Sequence, residues 1–175
     1  MSDEGFNLER SIEVLERTPR VVRAMLDGVS EEWTSGGSET DWAPFDIVGH
    51  LIHGELTDWI PRAQIILDQG EDRGFIPFDR LAQFENSKGK TLAVLLDEFD
   101  EMRRSSLRTL LNWHLTEEQL QLKGIHPEFG EVSLAELIAA WVTHDLSHIS
   151  QIAVFLARKY TDAVGPWREY MSILR

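Results

Sequence analysis

Four long stretches of this chain repeat apolar residues at three- and four-residue steps, and this periodicity restricts the fold more than any other feature. The first runs from about Asn7 to Gly28, with Leu8, Ile12, Leu15, Val22, Met25 and Leu26 on one side. Asn7 suits an N-cap and Gly28 a C-terminal stop, while Pro19 inside the stretch predicts a kink or a break. The second begins at Pro44, a residue suited to a first helical turn, and reaches about Asp68, with a further kink expected at Pro61. The third spans about Lys90 to Trp113, and Leu92, Leu95, Leu96, Phe99, Leu107 and Leu110 mark its apolar side. The fourth starts at Ser133, whose Glu136 completes a capping box, and ends near Lys159 and Tyr160. Four stripes of this length bury one another most simply in an all-α, four-helix bundle.

The connections are longer than hairpin turns, so consecutive helices need not be antiparallel neighbours. They predict short extra helices around Phe78 to Glu85, at Thr116-Glu117-Glu118-Gln119 with its capping box, and after Pro166. Gly124 to Val132 reads as a loop, and no strand is expected. A length of 175 residues favours one domain covering 1–175.

The chain has no cysteine, which removes disulfides, thiolate metal sites and a cysteine nucleophile together. Any metal must be held by His, Asp, Glu or water. The formal net charge is −13, from 30 acidic and 17 basic residues. Such a surface repels phosphate backbones and anionic headgroups, so neither a nucleic acid nor a membrane is expected as a partner. The densest basic cluster, Arg103, Arg104 and Arg108, reads as a solvated helix face with a few salt bridges. The acidic start MSDEGFNLER has no apolar h-region, so no signal peptide is expected. No stretch approaches the roughly 18 apolar residues of a membrane span, and a cytoplasmic location is expected.

Chemistry concentrates in the fourth helix. Leu134, Leu137, Ile138, Trp141, Ile149 and Ile152 define its buried stripe. At ~100° per residue, His148 falls inside that stripe and His144 at its edge. Two histidines at i and i+4 stack on one face, close enough to converge on one ion. The alternative is that both are ordinary core residues. A metal also needs a ligand from elsewhere, and His50, His53, His114 and His126 are the candidates. His114 at a helix end and His126 before Pro127 are expected to be exposed. The helical wheel does not choose between His50 and His53, and Gly49 and Gly54 would let a neighbouring helix approach either. Asp145, near the middle of the stripe, has three readings. It could orient a ligating imidazole, serve as general base on a metal-activated water, or tie this helix to a neighbour's backbone. The second arises because His144-Asp145-Leu146-Ser147-His148 is one methylene short of the H-E-x-x-H pattern. Glu55 reads as a solvated helix residue.

Two segments carry a family resemblance. His126-Pro127-Glu128-Phe129-Gly130-Glu131-Val132-Ser133-Leu134, followed by Trp141 to Ile152, resembles the C-terminal half of DinB-like proteins. Trp42-Ala43-Pro44-Phe45-Asp46-Ile47-Val48-Gly49-His50-Leu51 is similar to that family's entry into helix two. The resemblance implies an up-down-down-up bundle and a divalent metal ion, zinc or nickel, on three histidines. Carried over by position, these are His50, His144 and His148, which selects His50 over His53 where the residue pattern did not. It also implies a possible homodimer and a kinship with thiol transferases, including bacillithiol transferases and mycothiol-dependent isomerases. The function expected is a metal-dependent thiol transferase, using an external low-molecular-weight thiol against a small-molecule electrophile. The alternatives are a non-catalytic metal-binding stress-response protein and a metal-dependent hydrolase with Asp145 as base.

Overall fold

The structure, a computed structural model, describes residues 5–175. The first four residues of the acidic start lie outside the described residues. The first periodic stretch forms two helices, α1 (Leu8–Leu15) and α2 (Thr18–Leu26). The Asn7 side chain accepts from Arg10 N at 2.8 Å, so it is the N-cap the sequence implies. Pro19 has no N–H for the Leu15 carbonyl, and the helix breaks there. Gly28 follows α2 with φ +77°, a left-handed stop. A single turn, α3 (Glu31–Thr34), lies in the connection.

The second stretch also divides, into α4 (Pro44–Thr57) and α5 (Trp59–Gln69). Pro61 leaves the Thr57 carbonyl without an intrahelical donor, and the break falls at Asp58. Then come the short α6 (Ala82–Asn86), the long α7 (Leu92–Asn112), the single turn α8 (Glu117–Leu120) and α9 (Leu134–Arg158). The expected capping boxes form at Thr116/Gln119 and Ser133/Glu136. The tail closes in 3₁₀ turns at Gly165–Tyr170 and Ser172–Leu174 rather than in an α-helix.

The packing clusters reveal the course of the chain. One holds the start of the first helical unit (Leu8, Ile12, Leu15), the end of the second (Ala63, Ile66), the end of α7 (Leu107, Leu110) and the start of α9 (Leu134, Ile138). The other holds the end of α2 (Val22, Leu26), the start of α4 (Ile47, Val48), the start of α7 (Leu95, Phe99) and the later part of α9 (Ile152). The first and fourth units therefore run one way, and the second and third the other. This is the up-down-down-up course. Because the second and third units are parallel, residues 70–91 must travel the length of the bundle, and α6 packs on α4 along the way.

One expectation is corrected. Part of the Gly124–Val132 segment is an antiparallel hairpin, β1 (Lys123–His126) with β2 (Gly130–Ser133). Four residues per strand are too few for alternation to register in sequence. The hairpin is fixed by other means. Gly130 takes φ +75° after the Pro127–Phe129 loop, and Phe75 N donates to Ile125 O at 2.9 Å. Ile66 and Phe75 also close over Gly124. Among the described residues, no helix is long and apolar enough to cross a membrane.

Candidate metal centre

His50 comes from the second turn of α4, and His144 and His148 from successive turns of α9. Their Nε2 atoms meet at one point. His144 Nε2 lies 3.0 Å from His50 Nε2 and 3.1 Å from His148 Nε2. The three form a group with metal-ligand spacing. Two nitrogens each about 2.0–2.1 Å from one tetrahedral ion sit about 3.3 Å apart, close to both of these separations.

Protonation suits a cation. Burial, reinforced by the positive character of the neighbouring rings, pushes His50 down to about 2 and His144 to about 3. His148 is also lowered, mainly by burial, although its hydrogen bond to Gln151 opposes the shift. All three rings are therefore neutral at physiological pH. His148 Nδ1 lies 2.9 Å from Gln151 Oε1, an acceptor, which puts the proton on Nδ1 and leaves the Nε2 lone pair facing its neighbours. The N–H of His144 could then satisfy only one of its two partners. A shared cation would satisfy all three nitrogens, and on this test the donor set fits a divalent ion.

Aromatic side chains hold the rings in place. Trp42 packs on His50 at 4.8 Å between centroids and stacks over His148 at 6.3 Å, while Trp59 meets His144 edge-on at 5.1 Å. His53 is buried too, but its ring packs on Phe78 at 4.8 Å, and it lines a separate cavity with Glu98 and Glu101. His114 is exposed, as expected.

Beneath the triad lies a charged hub. Arg103 of α7 is 1% exposed. Its Nη1 and Nη2 donate to the two carboxylate oxygens of Asp145 at 2.6 and 3.0 Å, and its Nε donates to Glu55 Oε1 at 2.9 Å. Nη1 also donates to Leu15 O at 2.8 Å, the carbonyl that Pro19 left unpaired. Trp141 Nε1 donates to Glu55 at 3.2 Å, and its ring lies under the guanidinium at 5.0 Å. Burial works against the charge on Arg103, yet Asp145 and Glu55 outweigh it and raise its pKa. Burial raises Glu55 despite the opposing pull of Arg103. Two sequence readings are thereby corrected. Arg103 does not belong to a solvated face, and Glu55 is not a solvated residue. Arg104 keeps the surface pairing expected, with Asp100 at 3.0 Å.

The triad opens on a cavity of about 540 Å³. Trp42, Pro77, Phe78 and Phe129 give it apolar walls. Asp58, Arg62, Arg80, His126 and Glu128 supply polar groups. Asp58 pairs with Arg62 at 2.5 Å, and burial pushes its carboxyl up to about 6 against that pairing. His126, expected to be exposed, is half-buried, because the hairpin turns it toward Phe75 and into the cavity wall.

The family model of the DinB superfamily matches residues 14–152. The chain belongs to the DinB superfamily. Among solved structures it is similar to YfiT from Bacillus subtilis, with a TM-score of 0.75 at 22% identity, covering 91% of this chain and 93% of that one. That protein is described as a probable metal-dependent hydrolase with an unusual four-helix bundle topology. Comparison with curated proteins gives no match.

In this DinB-superfamily chain, periodicity alone marked His144 and His148, and the wheel left the third ring open for a physical reason. Every residue from Ile47 to Glu55 is buried, because α4 packs against α5, α6, α7 and α9, so it has no solvent face against which to orient a wheel. The hub was missed although a signal existed. Arg103 falls on the same stripe as Leu96, Phe99, Leu107 and Leu110, where a charge demands a buried partner.

Proposed function

We propose that His50, His144 and His148 hold one divalent ion, zinc or nickel, and that the chain is a metal-dependent transferase. In this reading an external low-molecular-weight thiol attacks a small electrophile bound in the adjoining cavity, so that a carbon–sulfur bond forms as the leaving group departs with its electron pair and the thiol proton passes to solvent. The observation that carries it is the meeting of three neutral imidazole nitrogens, one ring buried and two half-buried, at the wall of that cavity. Three protein ligands leave a coordination position free, and an ion there would supply Lewis acidity that lowers the pKa of an incoming thiol or water.

The chain's own residues do the rest. Gln151 fixes the tautomer of His148, Trp42 and Trp59 keep the rings from turning, and the Arg103 hub holds α4 and α9 in register. The choice of thiol over water rests on the lack of a free base in contact with the triad. Both oxygens of Asp145 are engaged by Arg103, and among the described residues the triad's hydrogen bonds run only to one another and to Gln151. A thiol whose pKa a bound ion would lower could lose its proton to solvent without a positioned base, whereas attack by water gains from one. With no cysteine in the chain, the sulfur must come from outside.

A second reading, metal-dependent hydrolysis, draws support from Asp58. This carboxyl lines the same cavity and titrates at about 6, near the optimum for a base at neutral pH. The description of YfiT points the same way. Metal-loaded protein, purified without a His-tag, should be assayed with an aryl halide plus bacillithiol, mycothiol or glutathione, and separately with activated esters. Thiol-dependent turnover above the metal-free rate supports the transferase. Ester turnover lost in Asp58→Asn supports the hydrolase. Stoichiometric metal without either activity leaves the non-catalytic metal-binding protein.

A further inference from the structure

We propose that the cavity beside the triad takes a small organic anion, an apolar body carrying a carboxylate or phosphate, whose anionic group is bound by Arg80 and the Nε2–H of His126. This rests on the proposed function only for the cavity's role; the anion site itself consists of residues that hold no metal.

His126 is the residue that neither the fold nor the metal centre accounts for. The backbone N–H groups of Glu128 and Phe129 both donate to its Nδ1, at 3.1 and 3.3 Å. An Nδ1 that accepts two hydrogen bonds cannot carry the proton, so the neutral ring carries it on Nε2. The hairpin thus presents a fixed donor at the cavity wall, with no lone pair on Nε2 for a metal. Phe129 stacks on the ring at 4.4 Å and Phe75 meets its edge at 6.1 Å, which locks its plane. Burial lowers its pKa, so it donates as a neutral group.

Arg80 supplies charge. The cavity's two cations differ in their state. Arg62 is spent on Asp58 and on the Ile76 carbonyl at 3.3 Å. Arg80 has no carboxylate partner among the described residues, and its charge reaches His50 and His148. Arg80 is exposed at the rim of the cavity, where its guanidinium is open to an anion arriving from solvent. The acidic groups that line the cavity do not cancel it. Asp58 is held by Arg62, and Glu128 is exposed at the hairpin tip. The walls formed by Trp42, Phe78 and Phe129 then favour a ligand with an apolar or aromatic body over a bare inorganic ion.

The test is a calorimetric titration of the full chain, metal-free and metal-loaded, with benzoate, phenyl phosphate and the uncharged benzyl alcohol. NMR would follow the His126 and Arg80 side-chain nitrogens. Both anions should bind metal-free protein at least about ten-fold more tightly than benzyl alcohol. The His126 nitrogens should report the Nε2–H tautomer and shift on titration. Arg80→Gln and His126→Phe should each weaken the anion about ten-fold or more and leave benzyl alcohol unchanged. Arg104→Gln, outside the cavity, should change neither. Benzoate binding better than phenyl phosphate, or the reverse, identifies which anion the donors prefer and supports the site. Anion binding only to metal-loaded protein, equal affinity in Arg80→Gln, or an unshifted His126 would overturn the proposal. The metal reading would survive all three, and failure of metal uptake would leave the metal-free titration readable.

Discussion

Arg103 donates to side chains or backbone on α1, α4 and α9 at once. Its replacement by Met, close in volume, leaves Asp145 and Glu55 buried without their cation. Breaking a buried pair in this way costs about 3–5 kcal/mol, read as a lower urea midpoint at unchanged m-value. The histidines separate in the same way. His50→Ala, His144→Ala and His148→Ala should each abolish stoichiometric zinc by elemental analysis. His53→Ala should retain it, because its ring packs on Phe78 instead. Zinc retained by His144→Ala would remove the basis for the centre. At this scale the i, i+4 pair on α9 was readable from spacing. The third candidate, His50, followed from resemblance alone, because a helix buried on all sides has no apolar arc to single out one residue.

At the scale of elements, the hairpin β1–β2 carries one wall of the cavity and is held by unusually specific backbone geometry. Gly130→Val forces a β-branched residue to φ +75° and should cost about 1–2 kcal/mol or more. Amide exchange should quicken over residues 123–133, while α9 stays protected. Gly124→Ala would place a methyl 2.8 Å from Ile66 Cγ1 and Phe75 Cε1. Overpacking of this kind costs about 1–3 kcal/mol and should loosen the hairpin from α5. The long helices were legible because ten or more residues repeat one period, and the caps at Asn7, Thr116 and Ser133 sat where side-chain chemistry requires them. The hairpin was not, because two four-residue strands carry too little pattern and are stabilised by contacts with Phe75 and Ile66 from elsewhere in the chain.

For the whole molecule, the neutral histidines of the triad contribute to the response to acid. His50 and His144 bind protons at about 2 and about 3 when folded, but at 6.5 when unfolded. The unfolded chain therefore takes up more protons as pH falls. Their contribution to stability is complete above 6.5 and is lost progressively below it. Asp58 acts in the opposite sense between about 6 and 3.8, and offsets one of the two protons there. Metal-free protein should thus lose stability in urea melts as pH falls below about 6, with saturating zinc delaying the loss. At pH 7, zinc at about 100-fold its dissociation constant should add about 2.7 kcal/mol, read as a rise in melting temperature. A melting curve indifferent to zinc would contradict the centre.

By itself the sequence determined what local periodicity and local chemistry can specify. That covers four amphipathic units, their caps and proline breaks, the paired histidines of α9 and the absence of any thiol. Only the tertiary structure decided which helices adjoin, that the second and third run parallel, and that the Leu15 carbonyl freed by Pro19 finds Arg103. Nor could local pattern reveal that His50, rather than His53, meets the α9 pair. The reason is physical. Period and capping act over a few residues, whereas a buried charge or a shared ligand point is fixed by groups that the chain brings together across 42 to 94 residues.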